Sequence, residues 1–181
     1  MRHFWTAFKM FSLMTLLTGI IYPLLIALIS ETAMPEKAGG SLVMRGDKII
    51  GSSLIAQQFK SDAYFWPRPS AVDYDPLKPA GGSNLGPTSK KLQGIVRERV
   101  KIMGSSVPAE LAYASGSGLD PHVSLETAYY QIIRVAKARS VEDPAQLRLL
   151  IDQLAEGFSS KYVNVLLLNL SIDRHYPVNK S

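Results

Sequence analysis

The sequence predicts an α+β fold, with one N-terminal transmembrane helix followed by a single mixed α/β domain outside the cytoplasm. Two observations predict it. Residues 10–30 form an uncharged run about as long as the 20 apolar residues that a helix needs to cross a bilayer. The remaining chain, about 150 residues, alternates strand-like runs with helical apolar periodicity and has the size of one domain.

The charges that flank the apolar run predict its direction across the membrane. They are Arg2 and Lys9 before it and Glu31, Glu36 and Lys37 after it. Because the positive excess lies on the N-terminal side, we expect residues 1–9 in the cytoplasm, 10–30 in the membrane and 31–181 outside. A cleaved signal peptide is the competing interpretation, but its apolar core would be shorter and followed by small residues at a cleavage site.

One face of the predicted membrane helix carries small and hydroxylated residues. Spacings of three and four place on it Ser12, Thr15, Gly19, Tyr22 and Ile26. Such residues let helices approach closely and hydrogen-bond inside a membrane, so this stripe predicts a neighbouring membrane helix. In the alternative interpretation, the hydroxyls bond the carbonyl four residues back and Pro23 only kinks the helix.

Composition and charge exclude several classes of function. The chain has no cysteine, which rules out disulfides and cysteine-based catalysis or metal binding. Its histidines, His3, His122 and His175, are not spaced as metal ligands, so no metal site is predicted. The net charge of +5 arises largely beside the membrane and from one predicted helix. We interpret that helix as a basic face that contacts lipid headgroups or an acidic partner, and not nucleic acid.

The first elements after the anchor follow from turn signals. Strand-like runs at 42–44 and 49–50 flank a Gly-containing turn, which predicts a hairpin. The stretch 61–87 contains five prolines, which exclude a regular element. Its aromatic residues predict a loop that is ordered and packs on the rest of the domain, since disordered segments are poor in aromatics.

Three longer helices are predicted by apolar periodicity bounded by capping residues. The first covers 88–103 and starts at Thr88; the second is capped by Ser124 and ends near residue 139. The third opens at Asp143 and Pro144 and closes near Gly157. A short helical turn at 109–112 precedes the second helix.

The last run, residues 162–172, is apolar on both faces. This pattern predicts a central strand covered on both sides. Asn164 and Asn169 interrupt it, and buried amides need hydrogen-bond partners. We therefore interpret both as satisfied amides of the core.

No catalytic group of residues emerges from the domain sequence. Ser115 and Ser117 lie near Asp120 and His122 in the segment 114–122, but their spacing differs from the G-x-S-x-G of a nucleophile elbow. The same residue types are typical of a loop that enters a helix. We therefore predict no catalytic residue, and hydrolase activity is the weaker interpretation.

Two further features are candidates for binding. A weak candidate cofactor site, holding an anion on backbone amides, is formed by Gly81, Gly82, Ser83 and Asn84, although no Gly-Lys-Ser/Thr follows. Arg68 lies between two prolines that fix its backbone. It either presents a preorganised cation to a carboxylate or is an ordinary exposed loop side chain.

Six segments along the chain form a distinctive series. In order they read GSSLIAQQF (51–59), YFWPRPSA (64–71), GGSNLGPTS (81–89), ASGSGLDPH (114–122), QIIRVAKAR (131–139) and VNVLLLNLSID (163–173). Behind a single N-terminal span, this series resembles the C-subunit family (KdpC) of the Kdp potassium-transporting P-type ATPase nearly end to end. Ala56 and Ala80 depart from the family pattern, where glycine and serine are common, and these departures concern turn geometry.

The resemblance implies a non-catalytic subunit of an ATP-driven potassium importer in the inner (cytoplasmic) membrane. Its partners would be a channel-like A subunit, which selects the ion, and a P-type B subunit, which hydrolyses ATP through a phosphorylated aspartate. The family is credited with assembling or stabilising the complex, and with raising the ATP affinity of the B subunit as a catalytic chaperone. ATP would act at the level of the complex, because a domain outside the membrane does not meet cytoplasmic ATP.

We therefore expect two contacts with the A subunit. The membrane stripe would dock through Ser12, Thr15, Gly19 and Tyr22. The loop 61–87, with Arg68, and the cluster of Asp120 and His122 would pack over the outer mouth of the channel, and an effect on ATP affinity would be transmitted as coupling between states. The alternative is a stand-alone hydrolase or sensor domain anchored outside the membrane.

Overall fold

The computed structural model describes residues 1–104 and 106–178, and the chain divides into two compact units, Met1–Ile50 and Gly51–Ser181. Helices and strands are both present, as the sequence predicts. The first unit contains helices α1 (Arg2–Leu16), α2 (Tyr22–Ala33) and α3 (Pro35–Ala38), then strand β1 (Leu42–Arg45) and the start of β2 (Lys48–Ser52). Strands β1 and β2 pair in a two-stranded sheet around Gly46 and Asp47, which confirms the hairpin.

Helices α1 and α2 continue one another through a π-helical turn, Leu17–Ile21. Together they form a helix from Arg2 to Ala33 whose most apolar window has a mean hydropathy of 2.2, and which has no residue buried inside the chain. Its length and composition are sufficient to cross a membrane. Among the described residues it is the one helix with these properties.

The π turn changes the geometry of the predicted stripe. The Tyr22 N–H donates to the carbonyl of Leu17, five residues back, and Pro23, which has no N–H to offer Gly19, follows immediately. Because a π turn takes in one extra residue, the helix beyond it is rotated by roughly 100° relative to a continuous α-helix. Tyr22 and Ile26 therefore leave the face of Ser12 and Thr15, and the prediction of one unbroken stripe is corrected.

The second unit contains five helices and a second two-stranded sheet among its described residues. They are α4 (Lys90–Met103), α5 (Ala109–Ala112), β3 (His122–Ser124), α6 (Leu125–Arg139), α7 (Pro144–Gln153), β4 (Tyr162–Asn164) and α8 (Val165–His175). Strands β3 and β4 are antiparallel, with Val123 opposite Val163. The core lies between this small sheet and helices α6, α7 and α8, and it includes the fully buried Phe65, Val135, Leu147, Ile151, Leu168 and Ile172.

The predicted caps are largely confirmed. The side chain of Ser124 accepts from the Thr127 N–H at the start of α6, and that of Asp143 accepts from Ala145 at the start of α7. Helix α4 begins at Lys90, two residues later than expected, because Ser89 and not Thr88 is its cap, accepting from the Leu92 N–H.

The prediction of a central strand over 162–172 is wrong. Only Tyr162–Asn164 is a strand, and the remainder forms helix α8. The side-chain oxygen of Asn164 accepts from the N–H groups of Leu166 and Leu167 and so starts the helix. Because α8 is buried on most of its circumference, its sequence lacks a polar face, and a short apolar run of this kind does not distinguish a strand from a buried helix.

The loop 61–87 has no helix or strand, as predicted, and side-chain amides hold its first part in place. Asn169 of α8 accepts from the Phe65 N–H at 2.8 Å and donates to the Phe65 carbonyl at 3.0 Å. Gln131 of α6 does the same for Trp66, at 2.8 and 3.1 Å. Each side-chain amide thus makes the two backbone hydrogen bonds that a neighbouring strand would make in a sheet. These bonds fix the loop just before Arg68.

Candidate functional site

The candidate site lies where the Pro/Gly-rich loop meets the segment 114–122. The Ser115 N–H donates to the Pro69 carbonyl at 3.0 Å, and the Gly81 N–H donates to the Ser117 carbonyl at 2.8 Å. Gly118, at φ 70°, has the side chain of Val72 and the Gly81 carbonyl within 3.0 Å of the place where a Cβ would stand. These contacts join two segments that are about 35 to 45 residues apart in the sequence.

Arg68 and Asp120, both singled out from the sequence, form an ion pair at this junction. The Arg68 guanidinium donates to Asp120 Oδ2 at 3.1 Å, and the two side chains are 28% and 30% exposed. Asp120 Oδ1 accepts from the His122 N–H at 3.0 Å. The Asp120 carboxylate therefore accepts two hydrogen bonds. Of the two interpretations given for Arg68, the contact agrees with a cation presented to a carboxylate, and not with an ordinary exposed loop side chain.

His122 completes the cluster on the edge of the second sheet. Its Nδ1 lies 3.8 Å from Asp120 Oδ1, and its ring packs edge-on against Tyr162, with centroids 4.8 Å apart. Its Nε2 lies 3.5 Å from Nδ2 of Asn164, the residue opposite it in the β3–β4 register. No local sequence signal marks Tyr162 as a member of this cluster, because only the strand pairing brings it there.

The charge of Arg68 also reaches Glu110 in helix α5. The Glu110 carboxylate accepts from the Ser124 N–H at 2.9 Å. Burial would raise the pKa of this carboxyl, but hydrogen bonds from Ser124 and Thr127, with the nearby Arg68 charge, outweigh it and hold the pKa below its usual value. Glu110 is therefore part of the electrostatic support of the cluster, and no sequence motif marks it.

The geometry does not assemble a hydrolase from these residues. Ser115 is 1% exposed, and Ser117 Oγ accepts from the Leu119 N–H at 3.1 Å. Within the part of the chain that the structure describes, neither hydroxyl donates to His122. A nucleophile needs both an adjacent base and access for substrate, and Ser115 has no access. The cluster instead consists of a partly exposed ion pair, Arg68 and Asp120, beside the aromatic contact of His122 with Tyr162.

The candidate anion cradle at 81–84 serves to pack the loop. The Gly81 amide is occupied by the Ser117 carbonyl. Around Gly82 the nearest atoms to an added Cβ are the carbonyl oxygens of Gly116 and Ser115, at 3.4 and 3.6 Å, and the Ser83 hydroxyl accepts from the Leu85 N–H. Carbonyl oxygens repel an anion, so these contacts disfavour phosphate at this position. No group of three metal-ligating side chains occurs among residues 1–104 and 106–178.

The hydroxyls of the membrane helix fall into two sets. Thr18 Oγ1 donates to the Met14 carbonyl at 2.7 Å, and Ser30 Oγ donates to Ile26 at 2.8 Å. Within the described chain no hydrogen bond satisfies the Ser12 and Thr15 hydroxyls, and both residues are exposed. These two side chains of the predicted docking stripe therefore keep a donor for a neighbour.

A shallow pocket includes the two prolines that flank Arg68. It has a volume of about 150 Å³ and is lined by Trp66, Pro67, Pro69, Tyr74, Arg99 and Met103, among others. Tyr74 donates to the Arg68 carbonyl at 3.0 Å, and Arg99 donates to the Ala112 carbonyl at 2.7 Å. Burial raises the pKa of Tyr74 and lowers that of Arg99. Tyr74 thus helps to hold the loop, and Arg99 joins α4 to the end of α5.

The chain is similar to one family over most of its length. The model of the K⁺-transporting ATPase c chain, KdpC, matches residues 4–174. The potassium-transporting ATPase KdpC subunit of Leptospira interrogans (serogroup Icterohaemorrhagiae serovar copenhageni) is 42% identical over 180 residues, which cover 94% of this chain and 93% of that protein. The KdpC subunits of Dechloromonas aromatica and Serratia proteamaculans are 41% and 42% identical, covering 92% and 91% of this chain and 94% of each relative. The chain therefore belongs to the KdpC family, the c chain of potassium-transporting ATPases.

Proposed function

We propose that this chain is the non-catalytic subunit of an ATP-driven potassium import complex, which it assembles and stabilises in the inner membrane. The partners proposed are a channel-like A subunit and a P-type B subunit that hydrolyses ATP. The observation that carries the proposal is the family membership. The inaccessible Ser115 and the charge pair of Arg68 and Asp120, which has no nucleophile beside it, support an accessory role.

The proposed topology places residues 1–9 in the cytoplasm, 10–30 in the membrane and 31–181 outside. It is supported by the apolar helix from Arg2 to Ala33 and by Arg2 and Lys9 before the uncharged run. ATP and potassium would then be handled by the partners, with ATP on the opposite side of the membrane from the second unit. An effect on the ATP affinity of the B subunit would be a coupling free energy between states of the complex.

Two surfaces are proposed to dock on the A subunit. In the membrane these are Ser12, Thr15 and Gly19; Tyr22, the fourth residue expected there, is rotated away from them by the π turn. Outside the membrane it is the cluster of Arg68, Asp120 and His122, whose charges stay partly exposed. Exposed charges of opposite sign held in fixed geometry give an interface its register and specificity more than its affinity.

The test is co-purification of the three subunits from membranes. We expect the double variant Arg68→Ala, Asp120→Ala to reduce the amount of partner recovered with a tagged chain. The matched control is Asp73→Ala, Lys78→Ala, which removes an exposed ion pair of 2.9 Å from the same loop. Equal recovery with both double variants would contradict the docking surface. Recovery of the chain without any large membrane partner, even for the unaltered sequence, would contradict the subunit role.

The coupling is tested on the assembled complex. ATP binding by the complex is measured with the unaltered chain and with the Arg68→Ala, Asp120→Ala variant, at subunit concentrations that keep the complex intact. We expect weaker ATP binding with the variant, because the chain would stabilise the state of the B subunit that binds ATP. Specific ATP binding by the isolated full chain in detergent would replace coupling with direct contact.

A further inference from the structure

We propose that the exposed basic face of α4 binds the anionic headgroups of membrane lipids. This basic face is defined by Lys90, Gly94, Arg97 and Lys101. Their spacings of four, three and four residues place them in one narrow stripe along the helix, and all four are exposed. The inference rests on the proposed membrane anchor, but it does not depend on how the chain docks on its partners.

The charge of this helix is strong and unneutralised. Helix α4 has Glu98 as its one acidic residue, against five basic ones, Lys90, Lys91, Arg97, Arg99 and Lys101. Arg99 points inward and donates to the Ala112 carbonyl. In the described parts of the chain, 1–104 and 106–178, no carboxylate lies within ion-pair distance of the cations on the basic face. Several unpaired cations on one exposed stripe complement a surface of negative charge.

Gly94 gives the second observation. It lies in the middle of the helix and in the middle of the basic face, where glycine is an unfavourable choice compared with alanine. A Cβ at this position would meet nothing within 4 Å, so packing inside the chain does not account for the glycine. The absent side chain leaves the helix backbone open between Lys90 and Lys101, which allows a compact group such as a phosphate to approach the flanking cations.

An anionic lipid surface fits this face better than an acidic protein does. Two of the three cations are lysines, which bind phosphate as point charges, and the planar guanidinium of Arg97 also matches a phosphate group. The chain between Ala33 and Gly51 can span at most about 60 Å, so an anchored chain tethers the basic face to the bilayer and raises the concentration of headgroups around it.

The experiment measures the proximity of α4 to lipid headgroups in the full chain. Because the chain has no cysteine, the single variant Gln93→Cys attaches a fluorophore beside the basic face, and Leu149→Cys attaches it to the exposed side of α7. Each labelled chain is reconstituted in nanodiscs of phosphatidylcholine alone, or of phosphatidylcholine mixed with phosphatidylglycerol. Both preparations contain a lipid with a spin-labelled headgroup, which quenches a nearby fluorophore. Labelled Leu13→Cys, with an acyl-chain spin label, reports separately whether the anchor is inserted.

We expect quenching of the label at residue 93 in discs with phosphatidylglycerol, several-fold more than in phosphatidylcholine alone, and its loss at high salt, because exposed charges are screened. The triple variant Lys90→Gln, Arg97→Gln, Lys101→Gln should lose this quenching. The matched variant Lys60→Gln, Lys137→Gln, Lys161→Gln, with the same change in net charge at exposed sites elsewhere, should keep it. Gly94→Leu should reduce it without lowering the thermal unfolding temperature.

Several results would overturn the proposal while the anchor is inserted. These are equal quenching in the two lipid compositions, equal quenching at residues 93 and 149, or no quenching at residue 93. Loss of quenching when the partner subunits are added would show that α4 binds protein in the complex, which also overturns it. An unquenched label at residue 13 would instead contradict the membrane anchor, and so the proposed function itself.

Discussion

Single amide side chains replace a strand as the partner of the extended backbone at Phe65 and Trp66. Asn169 and Gln131 each donate to and accept from one residue of this backbone. The sequence predicts part of this arrangement, because an asparagine in an apolar run must find buried partners. It does not predict the partner, since Phe65 and Asn169 are 104 positions apart and no local spacing relates them.

Replacing Asn169 tests this clamp. Asn169→Leu keeps the branched shape of the side chain but leaves the buried N–H and carbonyl of Phe65 unsatisfied, so we expect a loss of about 2–5 kcal/mol in the free energy of unfolding. The measurement is urea unfolding of the full chain in detergent, followed by Trp66 fluorescence with Trp5 replaced by phenylalanine. The control Gln153→Leu, on the exposed side of α7, should change stability by less than about 0.5 kcal/mol. Similar losses for the two variants would refute the clamp.

Arg139 is a second residue whose role depends on tertiary contacts. Its side chain is 0% exposed; it donates to the carbonyls of Ala63 and Tyr176, at 2.6 and 2.7 Å, and to Asp173 Oδ1 at 2.8 Å. In the sequence it appears as the basic residue that ends a helix, where an exposed arginine is usual. Its burial could not be predicted from the local sequence, because it depends on the tertiary contacts with the loop and with the end of α8.

The Glu110 carboxyl gives a prediction about pH. Its pKa is lower in the folded chain than the usual value of about 4.3 in an unfolded one. Its stabilising contribution is therefore present above about pH 4.3 and is lost as the pH falls through the folded-state pKa. We expect the thermal unfolding temperature of the unaltered chain to fall more steeply between pH 5 and pH 3 than that of Glu110→Gln. Parallel curves for the two proteins would contradict this assignment.

At the scale of elements, local signals predict most helices and fail at one. Helices α4, α6 and α7 show apolar periodicity and begin at Ser89, Ser124 and Asp143, with the first cap misplaced by one residue. Helix α8 is surrounded by the core, so its sequence shows no polar face, and the strand prediction follows from that uniform pattern. The cap was present in the sequence as Asn164, two residues before the first amide that it binds, and could have indicated a helix.

The cap of α8 is predicted to be worth more than that of α4. Asn164 Oδ1 accepts from two N–H groups, at 3.1 and 3.2 Å, and its Nδ2 donates to the Ser53 carbonyl at 2.7 Å. Ser89 accepts one bond, at 3.4 Å. We expect Asn164→Ala to lower the free energy of unfolding by about 2 kcal/mol and Ser89→Ala by less than about 1 kcal/mol. Urea unfolding of the two variants checks the order, and a larger loss for Ser89→Ala would reverse it.

Two glycines should respond to alanine with opposite signs. Gly94 lies inside α4 with open space around it, so Gly94→Ala should stabilise the chain by about 0.5–1 kcal/mol through helix propensity. Gly157, at φ 93°, turns the chain between α7 and β4, and an added Cβ would stand 2.4 Å from the Ser160 carbonyl. Gly157→Ala should therefore cost about 1–3 kcal/mol. Stabilisation by both substitutions would show that the turn at Gly157 relaxes freely.

The π turn at Leu17–Ile21 determines which residues of the membrane helix lie on one face and so could contact a membrane partner together. A single-cysteine cross-linking scan of residues 10–30 in the assembled complex reads this directly, because the chain has no cysteine of its own. We expect cross-links at Ser12, Thr15 and Gly19, and then at Ala27 in place of Ile26, since the helix beyond the π turn is displaced by one position. Cross-links that continue at Tyr22 and Ile26 would indicate an unbroken α-helix in the complex.

The residues of the candidate cluster could be predicted from the sequence, but their arrangement in space could not. Arg68, Asp120 and His122 were all selected from the sequence, by fixed backbone and local polarity. These residues are brought together by backbone hydrogen bonds between Ser115 and Pro69 and between Gly81 and Ser117. Backbone hydrogen bonds do not depend on the type of side chain, so the sequence does not reveal them. Tyr162 and Glu110 join the cluster only through the sheet and helix α5.

The pairing of residues 63–66 with the last helix has a consequence for biosynthesis. The extended segment at Phe65 receives its partner when Asn169 has been synthesised, and Arg139 is not satisfied until Asp173 and Tyr176 exist. A nascent chain that is still short of α8 therefore exposes unpaired backbone early in its second unit, and it cannot close its core. The second unit can therefore complete its fold only after α8 has been synthesised. A product that stops before α8 lacks these partners, and its exposed backbone would be open to proteolysis.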